Sequence, residues 1–456
     1  MDISRKEFIE KISIISLGFS SLGRVIASNS NLIDNIQYSN LIDDPKGVLN
    51  LPPGFSYNII SKYKDKMKDG LRVPNAADGM GCFDGDGDNV ILVRNHELGH
   101  FPVIQNTFRK NSPYGKGISR YLKKHKNKFY DYRGKNTECY GGTTTIVYNI
   151  KTKKIVDQHL SLSGTLVNCS GGITPWGTWI SCEETVKKKQ GKIYKNHGFN
   201  FEVIPLDSDN LNPPFPLKDM GRFRHEAVAF DTEHGFVYQT EDREDGLFYR
   251  FIPNVRNDLS KGGKLQALSL VGFRGSDCSN WKRNSFKVGE SYKVKWVTLD
   301  NVESPEDDLR IRGRNKGCAI FARGEGLWYD NKNVYFTSTT GGKSKLGQVW
   351  KYRRSSGTSD GELELFFESD NKNMLSMPDN IVVTPWGDLL VSEDGRGNDR
   401  LIGIKPSGET YLFAKNIYNT SEFAGAVFSP DQKILFVNIY KPTMTIAITG
   451  PWASIL

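Results

Sequence analysis

Short apolar runs between turn residues fill most of the chain. VILVRN (90–95), TTTIVYNI (143–150), NFEVIPL (200–206), GFVYQT (235–240), GLFYRFI (246–252), KNVYFTST (332–339), GQVWKY (347–352), DLLVSE (388–393) and KILFVNIY (433–440) recur between Gly, Asn, Asp and Pro clusters. Their length and their β-branched and aromatic content predict strands, and long helical periodicities are scarce. Two stretches break the rhythm, 101–138 and 253–316; both are charged and read as excursions. An internal echo links TPWGTWISCEE (174–184) to TPWGDLLVSED (384–394), in turn, strand and acidic end. FSPDQKILFVN (428–438) and FDTEHGFVYQT (230–240) repeat a looser form of it. Radially repeated sheets account for such echoes. The expectation is an all-β chain, a six-bladed β-propeller with loop or helical insertions over 51–456, at roughly 40–70 residues per blade. A pair of β-sandwiches with coincidental turns is the competing architecture.

Composition narrows the class. The 456 residues include 45 Gly and 19 Pro, which agrees with many turns, and 11% are aromatic, which favours strands. The net charge of +9 favours acidic partners, phosphate-ester small molecules among them. No arginine-rich or lysine-aromatic groove stands out, so no nucleic-acid complex is expected. The six cysteines (82, 139, 169, 182, 278 and 318) form no CxxC pair, which removes zinc-ribbon and thioredoxin readings. Residues 1–27 have the make-up of an export signal: Arg5 and Lys6, an apolar run from Ile12 to Leu22, then Val25-Ile26-Ala27. The run is too short to span a bilayer. A periplasmic or secreted monomer without a transmembrane domain is expected, with 28–50 as a linker or arm.

The chemistry gathers around NCSGGITPWGTWISCEET (168–185). Gly171-Gly172 lets the backbone approach a ligand closely. Pro175 and Gly177 make a turn that brings Cys169 towards Glu183 and Glu184. A thiolate beside carboxylates is a metal-ligand set; a buried cysteine with a polar strand end has the same sequence. RHEAVAFD (224–231), TEDRED (240–245), ARGEGLWYD (322–330) and MPDNIVVTPWGDLLVSEDG (377–395) repeat one design, an acid at the end of an apolar strand. Converging carboxylates need cations between them, and hard oxygen-binding ions such as calcium suit them. HELGH (96–100) matches a zinc-protease pattern, but it follows a strand and meets Gly99 and Pro102, so no helix carries it. DGDGDN (84–89) reads as a hairpin turn rather than a calcium loop, because an EF-hand would need Gly and Glu where Asn89 and Asn95 stand.

These motifs together, with FSPDQKILFVNI, resemble the PhoX family of secreted alkaline phosphatases, in the same order from about Leu51 to the C-terminus. The resemblance implies a propeller with a central cluster of Fe3+ and Ca2+ and hydrolysis of phosphate monoesters, with some diesters. It also implies twin-arginine export, which SRKEFIEK resembles with Lys6 in place of the second arginine. By the resemblance, Cys169 corresponds to the iron-ligating cysteine. Glu184, Glu226, Asp242, Glu325, Glu393 and Asp394 join it as metal ligands, and Asn95 and Arg323 contact phosphate. A calcium-dependent propeller esterase or lactonase is the enzymatic alternative, and a non-enzymatic propeller scaffold is the other.

Overall fold

The computed structural model describes residues 40–99, 112–116, 118–132, 138–206, 211–283, 285–355, 360–395 and 397–452. The expected export signal lies outside them, as do 101–111, 117 and 133–137 of the first excursion. Within the described residues the regular structure is nearly all strand, with short α-helices at Ile118–Lys124 and Leu309–Asn315, one in each excursion.

Six strands line a central axis: Ala77–Asp84, Asn168–Ile173, His225–Phe230, Gly324–Asp330, Pro378–Val383 and Phe423–Phe428. Each packs against the next and the last against the first, so the ring is closed. Every inner strand pairs antiparallel with the strand that follows it. Further strands extend these hairpins outward into the radial sheets of a propeller. The second excursion adds Ser291–Thr298, which pairs with Gly361–Glu368 and fuses two radial sheets into one of nine strands.

Backbone approaches backbone where inner strands meet. A Cβ on Gly172 would lie 2.0 Å from the Val228 carbonyl oxygen, and one on Gly326 would lie 2.4 Å from that of Asp379. Neither position has room for a side chain, which explains the glycines in the motifs. The echoed TPWG segments are the tight turns of two inner hairpins. Gly177 donates to the Thr174 carbonyl at 3.1 Å and Gly387 to the Thr384 carbonyl at 3.0 Å. DGDGDN is likewise a hairpin turn, with Gly85 donating to the Asn89 carbonyl at 3.0 Å.

The chain ends are tied together. Ser56–Lys62 pairs with Met444–Thr449 as the outermost strand of the last sheet. Leu49–Asn50 pairs with Thr410–Asn416 in the sheet before it. Strand pairing thus begins two residues ahead of Leu51. Val48, Leu49 and Leu51 are buried in an apolar cluster with Leu401, Phe413, Val437 and Ile446. Burying a side chain of that size stabilises a fold by about 1.5–3 kcal/mol, so the end of the presumed linker belongs to the core. Its polarity misled, because Asp44 spends its carboxylate on the backbone amides of Lys46, Val48 and Leu49 and on the Tyr57 hydroxyl.

Candidate metal centre

The six inner hairpins share one local geometry. The residue just past the second strand donates its N–H to the carbonyl of the residue just before the inner strand. The pairs are Glu97 to Ala76, Glu184 to Val167, Asp242 to Arg224, Thr339 to Arg323, Asp394 to Met377 and Tyr440 to Glu422, at 2.8–3.2 Å. Beyond that bond every inner strand bulges. Ala77 pairs with His96 and Met80 with Arg94, so three steps on the inner strand meet two on its partner. The same offset recurs in the other five hairpins. A bulge re-aims the side chain of the extra residue. Ala76, Val167, Arg323 and Met377 also sit at φ 50–57°, a region that costs an L-residue about 1–2 kcal/mol. Strain repeated at four equivalent places marks a shared constraint on this end of the channel.

Three rings of side chains follow from this repeat. The lip ring precedes the inner strands and holds Arg224, Arg323 and Glu422. The bulge ring lies two residues further on and holds Asp78, Cys169, Glu226, Glu325 and Asp379; only Ala424, in the sixth hairpin, lacks a donor. The exit ring follows the second strands and holds Glu97, Glu184, Asp242 and Asp394, with Thr339 and Tyr440. The bulge ring is the deeper one: Asp78, Cys169, Glu226 and Glu325 are at most 8% exposed. Oxygens of Glu226, Glu325 and Asp379 lie within 4.8 Å of one another. Cys169 Sγ is 3.2 Å from the His225 carbonyl, beside Glu226.

Nine carboxylates thus share one end of the channel, with Arg224 and Arg323 reaching in and Lys441 acting on Glu97 from outside. Arg323 Nε and Nη2 donate to Asp242 at 2.8 and 3.0 Å, and Nη2 donates to Glu325 at 2.7 Å. Arg224 is freer, 3.6 Å from Glu184 with its side chain 41% exposed. Two guanidiniums cannot neutralise nine carboxylates, and the acids respond. Burial, then the charges of Asp379, Glu97 and Glu184, holds Asp78 well above the usual carboxylate range. Burial and neighbouring acids do the same to Glu184, Glu226 and Glu325. Burial and Asp394 push Asp379 to about 8, and burial with a hydrogen bond to Asp394 pushes Glu422 to about 12. Burial, Glu226 and Glu184 raise the Cys169 thiol. Such a shell holds protons unless cations replace them, and its donors are mostly hard oxygens with one soft sulfur. The residues therefore fit metal ions.

A pH dependence follows for protein stripped of metal. Asp379 has a folded value of about 8 against an ordinary 3.8. A raised carboxyl stabilises the fold fully below its unfolded value, and that contribution is lost as pH rises through the folded value. The melting temperature of chelator-treated protein should fall between about pH 4 and pH 8, while metal-loaded protein should not follow it. A flat or rising curve for the stripped protein in calorimetry would count against this account of the cluster.

Of the residues singled out in the sequence, Cys169, Glu184, Glu226, Asp242, Glu325, Asp394 and Arg323 meet here. Two do not. Glu393 is turned away: both its oxygens bind Arg400 and one accepts from the Ser376 amide at 2.7 Å. Asn95 is 0% exposed and its amide is fully engaged. It donates to the carbonyls of Cys169 and Ser170, and its oxygen accepts from Trp179 Nε1 and Ser181 Oγ. It buttresses the Cys169 strand and has no donor left for phosphate. Sequence reasoning missed Asp78, Glu97, Glu422 and Arg224; Asp379 stood among the strand-end acids of 377–395 but was not chosen as a ligand. Glu97 lies inside HELGH, whose His96 instead joins the Asn75 carbonyl and Thr144 Oγ1, while His100 lies outside the described residues. Past the rings the channel turns apolar, with a cavity of about 290 Å³ lined by Met80, Val228, Leu327, Trp328 and Ile381.

A family model described as alkaline phosphatase PhoX matches residues 36–443. The chain belongs to this family. Hydrolysis of phosphate esters, the activity of PhoX alkaline phosphatases, is accordingly its reaction class. Among solved structures, Pseudomonas fluorescens PhoX in complex with vanadate, a transition-state analogue, aligns at a TM-score of 0.65 and 19% identity, covering 90% of this chain and 97% of that one. It shares the propeller fold. A gluconolactonase from Xanthomonas campestris aligns at only 0.42 and 10% identity, covering 90% of this chain and 100% of that one. No curated protein matches the chain. Among the described residues no helix is long and apolar enough to cross a membrane.

Proposed function

We propose that this PhoX-family phosphatase works on phosphate monoesters, with some diesters, at a cluster of Fe3+ and Ca2+ held at the ringed end of the channel, and that each inner strand leads one of six blades. The observation that carries the reading is the convergence of nine carboxylates and one thiol on equivalent positions of six hairpins, with two arginines at the lip. Cys169 and the neighbouring Glu226 are the soft and hard donors suited to iron; Asp78, Glu325 and Asp379 close the deep ring. Glu97, Glu184, Asp242, Asp394 and Glu422 present oxygens nearer the mouth, where calcium fits. Bound there, such ions neutralise phosphate charge and activate an oxygen nucleophile.

The chain's own part is positioning. Arg323 fixes Asp242 and Glu325 through Nε and Nη2, and its Nη1 faces Asp394 at 4.0 Å, which leaves that nitrogen to grip a phosphate oxygen. Arg224, its equivalent on the neighbouring inner strand, offers a second grip across the lip. Two planar donors spaced around a channel hold a phosphoryl group in line. Export to the periplasm or beyond agrees with the N-terminal sequence, and a monomer is proposed. Metal analysis and a monoester assay on the purified chain test the reading. Iron and calcium should be present, excess EGTA should abolish turnover, and calcium should restore it. Full turnover in EGTA with calcium absent by analysis would refute the cluster.

A further inference from the structure

Away from the channel, a second group of donors meets beneath the second hairpin. Asp131 comes from the first excursion, Cys139 stands directly after its end, and His197 comes from the loop that follows the Trp179–Glu183 strand. All three side chains are buried. Cys139 Sγ lies 3.7 Å from His197 Nε2, and that nitrogen lies 3.3 Å from Asp131 Oδ2. The three donor atoms fall within 4.8 Å of one another.

These spacings fit ligands around an ion better than direct bonds. A charged N–H···O⁻ bond is normally about 2.7–2.9 Å, so 3.3 Å is long for one. Tetrahedral bonds of about 2.0 Å to nitrogen and oxygen and about 2.3 Å to sulfur place nitrogen and oxygen about 3.3 Å apart, and nitrogen and sulfur about 3.5 Å apart. The other face of the imidazole behaves differently. Its Nδ1 is 2.6 Å from Glu183 Oε1, the short carboxylate contact that orients metal-binding histidines. Glu183 is itself fixed by the amides of Leu166, Gly198 and Phe199. Asp131 is positioned by the amides of Tyr194 and Lys195. Thiolate, imidazole and carboxylate together suit a borderline ion.

We propose that Asp131, Cys139 and His197 bind a structural zinc ion, with Glu183 as the positioning residue behind His197. The site is separate from the channel cluster and too buried to meet substrate. It would pin the first excursion to the second hairpin, whose next residue, Glu184, enters the exit ring. Binding displaces the proton on His197 Nε2 and the Cys139 thiol proton to solvent. The rival is a metal-free arrangement in which His197 stays protonated between two carboxylates.

The purified full chain, grown with zinc, decides between them. Mass spectrometry should find about one zinc per chain, and X-ray absorption at the zinc edge should show one sulfur at about 2.3 Å. His197→Gln and Cys139→Ser should lose that zinc while keeping iron, and Glu183→Gln should weaken zinc binding by about 10–100-fold. A cobalt titration of metal-stripped Cys169→Ser protein provides a second reading, because the channel thiol is then absent. A thiolate-to-cobalt band should appear there and vanish when Cys139→Ser is added. No zinc in the wild-type chain, with no cobalt band, would overturn the proposal and leave the protonated histidine. A zinc–sulfur signal that survives Cys139→Ser would overturn it as well.

Discussion

Cys169→Ser is expected to remove iron, any ferric–thiolate colour, and at least about 100-fold of the turnover, the upper end of what losing even an outer partner of a metal costs. Cys169 is 3% exposed and occupies the bulge position of the second hairpin, next to Glu226. Burial and the surrounding acids raise its thiol, so only a nearby cation makes it an anion. A serine hydroxyl is nearly the same size but is far harder to ionise and lacks the softness that iron favours. The fold should survive, because the substitution keeps the side-chain shape and the sulfur meets backbone carbonyls, that of His225 at 3.2 Å and those of Cys182 and Glu226 at 3.8 Å, which a hydroxyl can also meet. Cys318, buried among Leu247, Leu265 and Leu299, serves as the control; Cys318→Ser should leave iron and colour in place. Full iron and full rate in Cys169→Ser would show that the sulfur is only a core atom.

Arg323→Lys is the second large effect. It is expected to lower kcat by about 100-fold to 1,000-fold, the cost of losing one aligned donor to a developing anion, with KM moving less. Guanidinium does not bind metal, so iron and calcium should remain. The structure gives the reason for the size of the effect. Arg323 sits at φ 57°, which directs its planar fork across two blades to Asp242 and Glu325 at once. Lysine keeps the charge but has one nitrogen, so it cannot hold both carboxylates and still face the phosphate. Arg224→Lys, at the freer equivalent position, should cost less. A variant that loses metal in step with rate would make Arg323 a scaffold for the ligands rather than a grip on phosphate.

The sequence by itself determined the strands, the hairpin turns and the radial plan, because each rests on local chemistry: β-branched runs, Pro and Gly turns, and a repeated TPWG frame. It also drew out the acids of the second to fifth hairpins, since acids at strand ends beside glycine are visible in any order of reading. Which acid of each adjacent pair faces the channel was decided by tertiary structure. In Glu183-Glu184, Glu241-Asp242 and Glu393-Asp394 the first member is spent on structure: His197 and amides for Glu183, the Tyr249 hydroxyl at 2.6 Å for Glu241, Arg400 for Glu393. The second member turns to the channel in each case. Alternation along a strand sends neighbours to opposite sides, but the starting phase is set by the bulge and by the bond back to the lip residue, and neither is written in residue types. The placement of Asn95 was hidden for the same reason, since a polar side chain at a strand end looks alike whether it faces a channel or four buried partners. Asp78, Glu97, Glu422 and Arg224 stayed hidden because each is unremarkable in its own segment. Only closure of the ring, which brings distant hairpins to one axis, makes them a single charged site.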